Sequence, residues 1–271
     1  MLIPVVGLLL IVLWSFIATH LPERAPVSST HKPPKKAVQA SAIAEAPHGP
    51  AHRGDVVLIL DDVGFDRQPL AEAMEIDPNL NFAVLPNACN AVLFANTLND
   101  RGFEVLCHLP MEPEGFPKVS PGPHAVLTSM TEGEIEATMH ADLSAVPHAR
   151  GVNNHMGSRA TTDRRVMSTV LAALPKGMYF IDSRTTGASV AGAMAHSMNV
   201  KTASRSVFLD DVAEDAAIRT QLQTLMADAE AKGVAVGIGH MYPSTIRVLT
   251  ADAPRLRERG FRFVRASEVV R

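Results

Sequence analysis

Aromatic side chains are scarce: they make up 5% of the 271 residues, with a single tryptophan, so any aromatic platform for a sugar must be small. No basic stripe with interleaved aromatics runs through the chain, and the formal net charge is −3, so no nucleic-acid partner is expected. Only two cysteines occur, Cys89 and Cys107, at a spacing that makes neither a zinc finger nor a CxxC redox motif. A disulfide between them would need Cα atoms within ~7 Å of each other, which the sequence leaves open. Apolar residues, by contrast, reach 46% against 20% charged, in a chain long enough to bury a substantial core.

The run from Leu2 to Ala18 is nearly all apolar and carries no charged side chain. It is short for a spanning helix and long for the core of a signal peptide. The small-x-small cleavage pattern fails at both Ser15-Phe16-Ile17 and Phe16-Ile17-Ala18. Residues 1–20 therefore read as an N-terminal membrane anchor, with a signal segment as the alternative. Lys32, Lys35 and Lys36 on its C-terminal flank would favour a cytoplasmic remainder under the positive-inside rule. Residues 21–54 are rich in Pro, Ala, Ser, His and Lys, include Pro33-Pro34 and show no apolar periodicity. They read as a flexible linker in which His31, His48 and His52 are solvated.

From residue 55 to 271 short β-rich runs alternate with amphipathic stretches. The runs are Val56–Leu60, Asn81–Leu85, Phe103–Leu109, Gly151–His155, Met178–Asp182, Thr202–Leu209, Val234–His240 and Phe261–Val264. Many are continuously apolar, as parallel strands covered on both faces should be. Thr131-Glu132-Gly133-Glu134 has the pattern of a helix capping box, and Asp215 to Lys232 repeats apolar residues at helical spacing. Five times a cation and a glycine stand just before an apolar run: Arg101-Gly102, Arg150-Gly151, Lys176-Gly177, Lys232-Gly233 and Arg259-Gly260. The cation suits the negative end of a helix and the glycine its left-handed close. This alternation predicts an α/β domain with a parallel sheet, more as a barrel than as an open sheet.

In such folds the site lies at the C-terminal ends of the strands. Asp61-Asp62, His108 with Glu112, Asn153-Asn154-His155 with Arg159, Asp182 with Arg184, Asp210-Asp211 and His240 all fall there. Adjacent carboxylates after a buried run repel each other unless a cation is near. His108, with Glu112 in short range, reads as a metal ligand, and Asp61, Asp62, His108, His155 and His240 as one shared site. Asp182 and Arg184 could equally be a structural ion pair, and Asp210-Asp211 reads as a helix cap. His124, His140, His148 and His196 read as solvated. Asp and His ligands suit Zn²⁺ and, less specifically, Mn, Fe or Co.

The order Asp-Asp, His-x-Pro-x-Glu-Pro, Asn-Asn-His-x-Gly-Ser, Phe-Ile-Asp-Ser-Arg, Phe-Leu-Asp and Gly-His-x-x-Pro resembles the divergent polysaccharide deacetylase family over essentially all of Asp55 to Arg271. The resemblance implies a NodB-type distorted (β/α) barrel of about seven parallel strands and metal-dependent removal of acetyl groups from an N-acetylated polysaccharide, such as peptidoglycan. Against the classical deacetylase motifs, Asp61 matches the base and Asp62 a ligand. His108 matches the first motif histidine, while Glu112 stands at the second. His240 matches the acid. His155 is placed to replace the missing ligand, with Glu112 as a further or substitute one. Asn153, Asn154, Arg159, Asp182 and Arg184 would bind substrate or support the site. The expected cofactor is a divalent metal, Zn²⁺ first. The resemblance also implies export to the bacterial periplasm, with the N-terminal segment at the inner membrane or serving as a signal, against the lysine-based orientation. Two alternatives stand beside hydrolysis: a catalytically inactive glycan-binding or scaffold protein that keeps the metal site, and another metal-dependent hydrolase.

Overall fold

The computed structural model describes residues 51–271. The expected N-terminal anchor, the linker as far as residue 50, and His31 and His48 lie outside the described residues. In chain order the strands are β1 (Gly54–Val63), β2 (Asn81–Val84), β3 (Glu104–Met111), β4 (Gly151–Met156), β5 (Tyr179–Asp182), β6 (Thr202–Ser204), β7 (Val207–Phe208), β8 (Val234–His240) and β9 (Phe261–Phe263). The helices are α1 (Leu70–Met74), α2 (Ala91–Asp100), α3 (Glu132–Ala145), α4 (Arg164–Ala172), α5 (Ala191–Ser197), α6 (Asp215–Lys232), α7 (Pro243–Glu258) and α8 (Ala266–Val269). Among the described residues no helix is long and apolar enough to cross a membrane.

Every strand pairing is parallel, in the order β6-β5-β4-β3-β2-β1-β8-β7. β9 adds to the first residues of β1. The predicted strand Thr202–Leu209 is two strands. Its first half pairs with β5 and its second with β8, with Arg205 N donating to Asp182 O and Ser206 N to Val236 O between them. One short stretch thus joins the two ends of the sheet and closes the distorted barrel without a continuous ladder.

Some helix ends follow the sequence signals, whereas Arg150-Gly151 and Lys176-Gly177 lie beyond the ends of α3 and α4. Thr131 and Glu134 form the reciprocal capping box of α3. Gly233 closes α6 at φ 82°, a conformation that glycine adopts without Cβ strain.

Alternation along the strands splits the core in two. Val56, Leu58, Leu60, Val105, Cys107 and Leu109 pack outward with the helices. Val57, Ile59, Leu106, Tyr179, Ile181, Val236 and Ile238 fill the interior with Val264, Ala266 and Val270 of the C-terminal segment. Because side chains repeat every second residue, the interior rows continue from Val57 and Ile59 to Asp61, from Leu106 to His108, and from Val236 and Ile238 to His240. These three rows, apolar inside, each end in a titratable group at the C-terminal rim, while the β5 row of Tyr179 and Ile181 continues to Ser183. Cys89 is exposed, Cys107 is buried, and both thiols are free.

Candidate metal centre

Asp61 and Asp62 are neighbours and would point to opposite faces of a regular strand. Asp62 has φ 57°, and the β1–β2 register shifts between Leu60 and Val63. The left-handed residue breaks the alternation and lets both carboxylates serve one site, at a backbone cost of ~1–3 kcal/mol. Parallel pairing does the rest. Asp61 stands opposite His240 on β8, His108 stands opposite Asn153 on β4, and His155 lies two residues further along that same face.

Three donor atoms converge. Asp62 Oδ1 is 2.9 Å from His155 Nδ1 and 3.3 Å from His108 Nε2, and the two ring nitrogens are 3.2 Å apart. Tetrahedral ligands at ~2.0–2.1 Å from a zinc ion stand roughly 3.3 Å from one another, so the triangle has the right size. Asp62 Oδ1 is buried and has no hydrogen-bond partner despite these close neighbours. A buried carboxylate oxygen facing two imidazole nitrogens at these distances fits a cation. Asp62, His108 and His155 together could hold a metal ion. On the far side of His108, Nδ1 lies 2.9 Å from Asn153 Oδ1; with the proton on Nδ1, the lone pair of Nε2 faces the triangle.

Asn153 also donates to Asp61 Oδ1 at 2.8 Å and to Ser183 Oγ at 3.3 Å. It therefore orients Asp61 and His108 together. Burial raises the pKa of Asp61, with His108 and His240 working against the rise. Burial would also raise that of Asp62, but the imidazoles of His108 and His155 outweigh it and hold the carboxyl well below its usual range. Burial would lower that of His108, yet Asp61 and Asp62 lift it to about 9.

His240 faces this group from the other side, its Nε2 3.7 Å from Asp62 Oδ2. Its Nδ1 is paired with Asp210 Oδ1 at 3.0 Å, while Asp210 Oδ2 accepts from His240 N and Thr245 Oγ1, both at 2.6 Å. Phe208 meets the imidazole edge-on and Tyr242 stacks on its face. Asp210 is thus an orienting partner of His240 and no mere helix cap. The signal in the sequence was its place just after an apolar run, as for the other rim residues.

The remaining expected residues divide. Asn154 accepts from Ser183 N, donates to Met156 O and lines the cavity, where it supports the β4 and β5 ends. Asp182 accepts from Arg184 N and Ser189 Oγ, so it organises its own loop; its partner in Arg184 is the backbone and not the guanidinium. Glu112 is not brought into the triad. In a strand four residues span ~13 Å, against one turn in a helix, and Glu112 lies just past the end of β3. Its Oε2 accepts from Thr128 N and Oγ1 at 2.5 and 2.7 Å, and its Oε1 pairs with Arg159 at 3.1 Å. Glu112 and Arg159 tie the loops after β3 and β4 together outside the cavity. Arg205 was not foreseen. It lines the cavity, donates to Ser183 O and Arg184 O, and lies over Phe208, which pins the barrel closure to the site.

The cavity measures about 410 Å³, and Asp61, Asp62, His108, His155 and His240 all line it. A second recess of about 300 Å³ shares Asp62 and His155 and is walled by Phe65, Leu85, Asn87 and Pro123.

A closed-up parallel barrel with an Asp–His–His triad on its C-terminal rim defines a NodB-type deacetylase barrel. The chain belongs to the divergent polysaccharide deacetylase family, whose sequence model matches residues 58–270. It is 34% identical over 218 residues to the uncharacterized protein YibQ of Escherichia coli (strain K12), covering 80% of this chain and 68% of that one. Its fold is similar to the crystal structure of uncharacterized protein ATU2773 from Agrobacterium tumefaciens C58, with a TM-score of 0.77 and 22% identity over 83% of this chain and 92% of that one. It is also similar to BA3943, a CE4 family pseudoenzyme from Bacillus anthracis, with a TM-score of 0.52 and 16% identity over 81% of this chain and 66% of that one.

Proposed function

We propose that the chain is a metal-dependent hydrolase that removes N-acetyl groups from a polysaccharide of the bacterial cell envelope, peptidoglycan being the first candidate, with Zn²⁺ as the metal. One observation carries this reading: a buried carboxylate and an oriented imidazole, Asp61 and His240, stand on two sides of an Asp–His–His triad in one cavity. What a divalent cation supplies at such a triad is polarisation of the amide carbonyl and acidification of water.

The chain's own groups account for the proton transfers. Asp61, held by Asn153, takes the proton from the attacking water. His240, with Nδ1 engaged by Asp210, has Nε2 free to protonate the departing amine as the carbon–nitrogen bond breaks. Acetate and a free amino sugar leave. The adjoining recess behind Asp62 and His155 gives room for a neighbouring sugar, and exposed Phe65 offers it a small stacking surface.

The inactive glycan-binding reading is favoured by one thing, the likeness in fold to a pseudoenzyme. The completeness of base, acid and triad favours turnover. Acetate release from N-acetylglucosamine oligomers by the zinc-loaded chain decides between them: glycan capture without acetate supports the binding protein. We place the domain in the periplasm, held at the inner membrane by residues 1–20 or delivered there by them as a signal. Fractionation of intact chain with the membrane supports the anchor, and a trimmed soluble product supports the signal.

A further inference from the structure

Of the five cation–glycine pairs, three cations sit at helix ends: Arg101 caps α2, Lys232 is the last residue of α6 and Arg259 caps α7. Arg150 and Lys176 have no such reason, since α4 too ends short of its cation, at Ala172. α3 ends at Ala145 with Val146 as its cap, which leaves Arg150 beyond the last turn, where the helix field has faded. Arg150 instead lines a cavity of about 390 Å³ at the amino-terminal mouth of the barrel, with Arg265, His148, Glu104, Tyr179 and Ser267. This mouth is formed by the starts of β3, β4 and β5 and by the segment after β9, at the opposite end from the metal centre.

The charges in this cavity do not cancel locally. Its one carboxylate, Glu104, is buried and already takes Tyr179 Oη at 2.6 Å, Ser267 N at 2.8 Å and the Ser267 hydroxyl. Among the described residues neither Arg150 nor Arg265 forms an ion pair. Arg265 is steadied by donating Nη2 to Gly102 O at 2.8 Å, which leaves the rest of its guanidinium available. The ring of His148 is set by Asn96 at 3.0 Å. The floor is stiff: the Tyr179 ring lies so close over Gly151 that a Cβ there would meet it at 2.3 Å.

We propose that this cavity is an anion site for a phosphate group, gripped by the guanidiniums of Arg150 and Arg265 with His148 beside them. Guanidinium forks match phosphate oxygens two at a time, and the carboxylate that might have neutralised them is fully engaged elsewhere. The phosphate could belong to a soluble molecule or to the headgroup of an anionic phospholipid. β1 begins at this mouth.

The test titrates inorganic phosphate into the full chain by calorimetry, and into Arg150→Gln and Arg265→Gln. Both arginines are exposed, and melting temperature and metal content should match the parent and serve as controls. The expected result is saturable binding weakened ~tenfold or more by either change. Vesicles of phosphatidylcholine alone or with phosphatidylglycerol separate the sources. A preference for the anionic vesicles that both variants lose assigns a lipid headgroup. Vesicle binding equal in parent and variants, with phosphate binding lost in the variants, assigns a soluble ligand. Phosphate binding retained in both variants, or no phosphate binding together with no arginine-dependent vesicle preference, overturns the site.

Discussion

Asp210 accepts a hydrogen bond from Nδ1 of His240 at 3.0 Å, and its second oxygen holds the backbone N of the same residue. Burial alone would lower the pKa of His240, but Asp210, with Asp61 and Asp62 behind it, outweighs burial and raises it. A general acid must be protonated to act, so its pKa sets the alkaline limb of the rate profile. Asp210→Asn removes the main support of the imidazolium. The limb should move to lower pH, so that the variant loses more kcat/KM at pH 8 than at pH 6. A profile that merely drops in parallel would give Asp210 a structural role only.

In the proposed reaction Asp61 and His240 transfer the protons and are not metal ligands. Asp61→Asn and His240→Ala should therefore retain metal and fold while losing ~10²–10⁴ in rate on an N-acetylated glycan. Parallel measurement of acetate release and metal content checks this, and parent-like turnover in both variants would remove the assigned roles.

The reach of the sequence was greatest where short-range chemistry decides the structure. The capping box at Thr131, the glycine close of α6 and the apolar runs that become β1, β3, β4 and β8 were legible because each depends on a few adjacent residues. Closeness in sequence misled at Glu112. It follows His108 by four residues, but the extended chain carries it past the rim to Thr128 and Arg159. Thr202–Leu209 read as one strand because local propensity cannot show that its halves serve opposite ends of the sheet. Asp210 read as a cap because its partner lies 30 residues on, and only the β7–β8 pairing brings the two together.

Asp142 on α3 offers a test of the fold away from the site. It is buried, its Oδ2 has no hydrogen-bond partner among the described residues, and burial lifts its pKa from the usual 3.8 to about 7. The folded chain thus holds this proton more tightly than the unfolded chain does. Between pH 4 and 7 the unfolded state ionises first, and stability falls as pH rises through that window. Asp142→Asn keeps the shape without the charge. It should raise stability at pH 7, by at most about 4 kcal/mol from the size of the shift, with the gain vanishing near pH 4. Urea midpoints of parent and variant across pH 4–8 check it. A gain independent of pH would contradict the assignment.

We propose that Asp62, His108 and His155 form one metal site, flanked by Asp61 and His240. The most direct measurement is the divalent metal content of the purified full chain, taken by elemental analysis beside Asp62→Ala, His108→Ala and Glu112→Gln. About one ion per chain is expected in the parent and in Glu112→Gln, whose carboxylate is spent on Thr128 and Arg159. Asp62→Ala and His108→Ala should lose the ion, since each removes a third of the triad. Full retention of metal in both of those variants would contradict the site.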